Sequence, residues 1–449
     1  MLELTYKKIL FVAMPLMFGT FVQSLIGITD GAFVSKLGNT AYNAVGNGSI
    51  IYIALFMLCR GISDGTQITI AKKFGENKKS EIGEVLFNAQ FMQVLLSGLI
   101  FLSLVFLGEI FVHAISESKD LAIAMTDFLK FRSWGIFFAA LYVTMCAFYI
   151  GLGKTRIIIT ATLILAVVNI FLDYSLIFGN FGFPELGMVG APLASSISEA
   201  AAFFFLLFYA LKMPKYREFN YNLKLKVEKL ISKPLFKLSS PLMLQGFVAL
   251  FTWLIFFSLL EHLGADNLEV AHNIRYMYFL AFVPIFGFGA ATRTFVSNLV
   301  GRNERHLIPR IQKRIALLSG ISILVIFHGG FLYPEFMISI VEHNPDITPE
   351  ILQNSADALR FVSGSIILYA VMVVPFNSVA ALGKTKLTFG IEVLAIIFYL
   401  IGCYLFIVKW QWNIIDVWWV EYIYFGVIGA ASITYLYFNR LKLGLVIPN

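Results

Sequence analysis

Asp30, Asn169, Asp173 and Ser195 put two carboxylates, an amide and a hydroxyl inside apolar runs of this sequence. Asp30 lies inside the run PLMFGTFVQSLIGITDGAFVSKLG, residues 15–38, which is long and apolar enough to span a bilayer. A carboxylate in the hydrocarbon core costs about 2.5–3.5 kcal/mol on insertion scales, so an intramembrane acid is a functional candidate by default. The plainer alternative is an acid near a helix end that reaches interfacial water. Asn169 and Asp173 are four residues apart in a second apolar run and share one face of a helix. If Asp30 and Asp173 converge, both cannot be ionised cheaply without a cation between them.

These residues need helices to place them. The chain has 449 residues, 59% hydrophobic and 14% charged, with mean hydropathy +0.80. Soluble chains carry about 25% charged residues, so this one is a polytopic membrane protein. Runs of about 20 apolar residues mark the spans. Twelve are expected, near 8–34, 43–71, 85–108, 123–151, 156–178, 188–211, 236–261, 268–298, 312–333, 355–381, 386–408 and 418–439. The fold class is therefore all-α. No cleavage site follows the first run, which is expected to act as an uncleaved signal.

Lysine and arginine in the short loops give the orientation. With a cytoplasmic N-terminus, 26 of the 34 basic residues fall on the inside, Lys224 among them. The outside then holds Lys36, Lys119, Lys130, Arg132, Arg360 and Lys409. The net charge of +7 reflects these loops and is no argument for nucleic acid. An inner (plasma) membrane protein with both termini inside is expected. At 1.5 Å per residue, Asp173 then lies about 25 Å from the inner end of span 5, and Asp30 also reaches the outer half. Ser195 lies about 10 Å from the outer end of span 6, in the same depth band, and Glu199 is one turn deeper.

The chain is a tandem repeat. Pro15-Leu16-Met17 recurs as Pro241-Leu242-Met243, and the same offset aligns Asn47 with Asn273 and Gly61 with Gly287. Gly151-Leu152-Gly153-Lys154-Thr155 recurs as Ala381-Leu382-Gly383-Lys384-Thr385. Each copy has an even number of spans, so the halves share one topology and are related by an axis along the membrane normal. The expected divisions are an N-terminal lobe at 1–211, a basic cytoplasmic linker at 212–235 and a C-terminal lobe at 236–449. A carrier that rocks two lobes around a central site needs such a duplication.

Other motifs weigh less. GLGKT at 151–155 lacks the glycine and the strand of a phosphate-binding loop and reads as a tight turn. The histidines, 113, 262, 272, 306, 328 and 343, show no metal-ligand spacing, and no metal site is expected from them. Cys59, Cys146 and Cys403 all lie in apolar runs, and no disulfide is expected. Arg60 and Asp64 are spaced as an i, i+4 pair. Glu392 is read as reaching inner interfacial water, and Arg275 as either reaching the outer interface or lining a cavity. His328 has no evident partner.

The sequence resembles the multidrug and toxic compound extrusion (MATE) transporters over nearly its whole length. The resemblance rests on Pro15, Gln23 and Asp30-Gly31-Ala32-Phe33-Val34, on Gly61-Ile62-Ser63 with Gly65-Thr66-Gln67-Ile68, on Asn169-Ile170 with Leu172-Asp173, and on Gly187 to Ser195. It implies a secondary antiporter that exports amphipathic or cationic compounds in exchange for protons or sodium, without a cofactor and without catalysis. It implies ion coupling at Asp30, Asn169, Asp173 and Ser195, with sodium possible at the first three, and bending at Pro15. Gln23, Glu199, Gln245 and Arg275 are the candidate cavity residues. Gln245 stands on span 7, where some members carry an acid, and no acid is read on span 10; Phe128 stands where a tyrosine often opens helix 4. The expected partners are small molecules and membrane lipids, and a monomer is expected. A lipid-linked oligosaccharide flippase is the nearest rival, but it would need several basic cavity residues, and only Arg60 and Arg275 are read as intramembrane. A membrane enzyme would need a catalytic histidine or acid pair near one interface.

Overall fold

The computed structural model describes residues 2–116, 118–222, 226–341 and 348–446; Lys224 and His343 lie outside them. Among the described residues the regular structure is helical, and twelve helices have 19 residues or more. They are α1 (Tyr6–Ser35), α2 (Asn39–Gly75), α3 (Glu81–Phe106), α4 (Lys119–Gly151), α5 (Arg156–Phe178) and α6 (Gly190–Lys212) in the first half. The second half holds α7 (Lys229–Leu260), α8 (Ala265–Gly301), α9 (Ile308–Ile326), α10 (Pro349–Ala381), α11 (Thr385–Cys403) and α12 (Trp419–Phe438). Among the described residues, eleven helices are long and apolar enough to cross a membrane. The remaining one is α9, whose first turns carry Arg310, Lys313 and Arg314. The expected single span over 312–333 is corrected: α9 stops at Ile326, and Gly329–Leu332 and Pro334–Val341 follow as short separate helices. The Gly329-Gly330 pair is a weak helix former, and Tyr333 precedes a proline that disfavours helical backbone before it.

The repeat is visible in the packing. In the first half α2 packs on α4, α4 on α6, α5 on α6 and α3 on α4. In the second half α8 packs on α10, α10 on α12, α11 on α12 and α9 on α10. By packing, the chain forms two compact units, Phe18–Phe247 and Met1–Met17 with Val248–Asn449. Duplication and packing thus divide the chain at different places: one at the central connection, the other inside α1 and α7. Glycines give the reason. A Cβ on Gly61 of α2 would lie 2.3 Å from the Met243 nitrogen of α7, so only glycine lets these backbones approach. At the matching position, a Cβ on Gly287 of α8 would meet Met17 Cγ at 2.7 Å and the Ala13 carbonyl at 3.1 Å, both on α1. The first turns of α1 and α7 therefore each pack on the second helix of the opposite repeat.

Lipid gives helices little hydrophobic reason to associate, so interhelical hydrogen bonds and close packing hold them together. Gln93 on α3 is one such knot: its Nε2 donates to the Cys59 carbonyl at 2.8 Å and to Thr144 Oγ1 at 2.9 Å. The connection after α6 is more than a basic loop, contrary to expectation. Tyr216, Phe219 and Tyr221 are buried, and Lys79 pairs with Glu218 at 2.8 Å. Tyr221 donates to Gln90 Oε1 at 2.6 Å, and burial pushes its phenol up to about 12, so it remains a donor at any physiological pH.

Candidate functional site

α5 carries Asn169 and Asp173 one turn apart, and both are fully buried. α1 runs beside it: a Cβ on Gly19 would touch Thr162 Oγ1 at 3.4 Å, and Phe33 meets Phe178 edge-on at 6.0 Å. Val34, Ile177 and Ala191 close one end with an apolar cluster contributed by α1, α5 and α6. Between these contacts the carboxyl groups of Asp30 and Asp173 come within hydrogen-bonding reach of each other. Asp30 Oδ1, both oxygens of Asp173 and Asn169 Oδ1 are buried and accept no other hydrogen bond. Two ionised carboxylates have no donor between them, so their contact is a hydrogen bond only when one holds a proton. Asn169 Nδ2 points to Ser195 Oγ at 3.5 Å.

The arrangement is four buried acceptor oxygens without a donor. Buried acceptors normally find partners, and leaving one unmade costs about 1–3 kcal/mol. A proton or a hard monovalent cation satisfies such a set. Oxygen-only ligands suit sodium, whereas softer metals prefer nitrogen or sulfur. Among the described residues no group of three or more His, Cys, Asp or Glu is placed to hold a metal ion.

The other candidates scatter. Pro15 is buried in α1, whose helix continues unbroken through it. Gln23 is exposed on α1. Gln245 Oε1 on α7 is buried without a partner. The Arg275 guanidinium lies over the Phe257 ring, 5.3 Å from its centroid, and near Tyr276 at 5.6 Å. Glu199 is clasped by Arg132, with Nη1 to Oε2 at 2.9 Å and Nη2 to Oε1 at 2.5 Å.

That clasp corrects the placement of Arg132 in an outside loop. Arg132 sits about four turns into the long helix α4, its side chain only 11% exposed, with its guanidinium 4.1 Å from the centre of the Tyr52 ring. Arg132 lies inside the apolar run 123–151, and Glu199 lies four residues past Ser195. Glu392 is also corrected. It does not reach interfacial water but is 2% exposed and accepts from the Tyr424 hydroxyl. His328 has a partner in the Tyr333 hydroxyl. Span 10 does hold an acid: Asp357 lies near the start of α10 and pairs with Arg360 at 3.0 Å.

Comparison with known proteins agrees with this architecture. The family model described as MatE matches residues 15–175 and again 241–405. The two matches begin 226 residues apart and end 230 apart, reproducing the offsets of the internal repeat. "Probable multidrug resistance protein NorM" of Thermotoga maritima is 27% identical over 347 residues, covering 76% of this chain and 73% of its own. The protein of the same name in Synechocystis sp. is 24% identical over 375 residues, covering 81% and 79%. Among solved structures, an outward-facing multidrug resistance MATE family transporter of the MOP superfamily superposes with TM-score 0.88 at 17% identity, over 99% of this chain and 97% of that one. A MOP superfamily transporter from Pyrococcus furiosus gives 0.87 at 18% identity, over 98% and 96%. These structures bear on the fold alone. With the family model matching both halves, this chain belongs to the MatE family of multidrug efflux transporters, integral membrane proteins of two repeated six-helix halves.

Proposed function

We propose that this protein is a secondary antiporter of the plasma membrane, with both termini inside, which exports amphipathic or cationic compounds in exchange for protons or sodium. The observation that carries the reading is the set of unpartnered buried oxygens on Asp30, Asn169 and Asp173. Unpartnered buried acceptors are costly, so the site's charge state and the packing of α1 are linked. Loading by a proton or sodium ion neutralises the pair and allows α1 to repack, bending at Pro15, which expels the compound outward. Loss of the ion to the cytoplasm resets the carrier. Ligands shift such an equilibrium only by binding one state better, and the acid pair gives the ion that preference. The two sequence halves, 1–211 and 236–449, act as the rocking elements.

The flippase reading gains one buried cation, Arg132, but that cation is already neutralised by Glu199 and offers nothing to an anionic lipid. The multidrug resistance names of the relatives support small organic substrates. Asp30→Asn tests the reading, because it mimics the loaded state permanently and lowers the burial cost. The variant is expected to insert and express normally. Its drug uptake in energised everted vesicles, with pH and sodium varied separately, is expected to fall to the level of empty vesicles. Uptake equal to wild type at equal expression would refute the mechanism.

A further inference from the structure

One helix, α9, presents a single exposed stripe that begins with charges. Arg310, Lys313, Leu317, Ile321 and Leu324 are all exposed, and steps of three, four, four and three residues put them on one face. The opposite face, Ile308, Ile311, Ile315, Ser319 and Ile323, is buried, and α9 packs on α8 and α10. At 1.5 Å per residue Leu324 lies about 16 Å along the axis from Lys313. That is close to half of a hydrocarbon core of about 30 Å, so the stripe is one leaflet deep. The two cations have no counter-charge. Helix α9 carries no acid, and among the described residues neither Arg310 nor Lys313 forms an ion pair. Their basic neighbours are engaged elsewhere. Arg302 pairs with Glu304 at 2.5 Å and donates to the Leu2 carbonyl at 3.1 Å. Arg314 donates to the Leu4 carbonyl and lies 5.2 Å from the centre of the Tyr6 ring. With this N-terminal segment in place Arg310 and Lys313 stay exposed, and its Glu3 pairs with neither.

Orientation in the membrane does not require these charges, because the other half lacks them. The offset of 226 that aligns Gly75 with Gly301 carries Glu84 onto Arg310 and Phe87 onto Lys313. The register holds in the structure. Ile82, Val85 and Ala89 of α3 are buried, as are Ile308, Ile311 and Ile315, and Phe91 is exposed like Leu317. Lysines beside α3 are neutralised locally, Lys73 by Glu81 and Lys79 by Glu218. The matching edge is therefore self-paired in one half and carries unpaired cations in the other. We propose that the α9 stripe binds an anionic glycerophospholipid, with its phosphate held by Arg310 and Lys313 and an acyl chain along Leu317, Ile321 and Leu324. Charge complementarity selects the headgroup: a guanidinium takes a phosphate through two N–H donors, and the ammonium adds a point charge. Cations at the membrane end of a helix attract anionic headgroups in this way. The aliphatic residues select a lipid over a soluble anion, which would leave them uncovered. In the orientation proposed above the leaflet is the cytoplasmic one. The site goes beyond the antiport reading and does not depend on it.

Native mass spectrometry tests this on the full-length protein, released from micelles holding phosphatidylglycerol and phosphatidylcholine in equal amounts. Wild type is expected to retain phosphatidylglycerol over phosphatidylcholine at least tenfold, about 1.4 kcal/mol. In the variant Arg310→Gln with Lys313→Gln the two lipids are expected to be retained within about twofold of each other. The control Lys229→Gln with Lys233→Gln removes two exposed cations from the start of α7 and is expected to keep the wild-type preference. All four side chains are exposed, so thermal unfolding without added lipid is expected to match wild type in both variants. An undiminished preference in the α9 variant overturns the proposal. So does an equal loss in the α7 control, which would make the preference a matter of total charge. Displacement of the lipid by inorganic phosphate, at an ionic strength matched with chloride, also overturns it and leaves a site for a soluble anion. The same spectra report the mass of the assembly: a dimer in wild type that is lost in the α9 variant would give the stripe to a second copy of the chain instead.

Discussion

At the scale of single residues, distance decides which members of the candidate site matter. Ser195 meets Asn169 at 3.5 Å, at the far limit of a hydrogen bond, where the interaction is weak. Ser195→Ala is therefore expected to cost under about 1 kcal/mol of stability and to leave export within about threefold of wild type. A complete loss of export in a stable Ser195→Ala protein would mean that its hydroxyl is a direct ion ligand. Asn169→Ala removes one of the four unpartnered oxygens and the amide beside them, and is expected to raise the ion concentration for half-maximal export at least tenfold. Much of this site was legible in the chain itself. A carboxylate amid apolar residues is conspicuous, and the spacing of Asn169 and Asp173 forces them onto one face. Arg132 was not legible in the same way, because a basic residue flanked by Lys130 near a span boundary reads as a loop charge. Its partner Glu199 lies 67 residues on, and only the packing of α4 against α6 brings them together.

At the scale of helices, the close approaches at Gly61 and Gly287 make a graded prediction. An alanine at 61 would drive a methyl into the backbone of α7, which has nowhere to go. Overpacking of this kind costs about 1–3 kcal/mol, and Gly61→Ala belongs at the upper end. At 287 the first obstacle is the flexible Met17 side chain, which can turn aside, so Gly287→Ala is expected to cost clearly less. Gly27→Ala, with nothing within 4 Å of the new methyl, is the control and should be silent. Thermal unfolding of the purified proteins in detergent, ranked 61, 287, 27, checks this; a silent Gly61→Ala would contradict the close packing. The equivalence of the two glycines was readable from the repeat. What they touch was not, because the exchange of first turns between repeats is a non-local event that no spacing within one helix announces. The burial of Tyr216, Phe219 and Tyr221 was missed for a related reason: the surrounding lysines make the segment look solvated, while its aromatic side chains insert among the ends of the neighbouring helices.

At the scale of the molecule, the repeat and the charge bias constrain one another. Each half contains six helices, so both halves enter from the same side, and any single miscounted helix would invert all later loops. The count survives where one helix is ambiguous: α9 carries three basic residues in its first turns, yet its packing on α10 repeats that of α3 on α4, which fixes it as a member of the bundle. Orientation is then one binary choice for the whole chain, and the bias of the basic loops is the argument for the cytoplasmic N-terminus proposed above. Two positions on opposite sides test it together. Leu230, before the apolar part of α7, is 87% exposed, and Phe181, between α5 and α6, is 71% exposed. The native cysteines give little background, since Cys59 and Cys403 are fully buried and Cys146 is 9% exposed. In intact cells a membrane-impermeant maleimide is expected to label Phe181→Cys and to leave Leu230→Cys unmodified until the membrane is opened. Labelling of both from outside would break the even count between α5 and α7, and with it the shared topology of the halves. Labelling of Leu230→Cys alone would preserve the repeat but turn the protein over, placing Asp30 and Asp173 in the half of the membrane nearer the cytoplasm and reversing the direction in which ion loading could expel a compound.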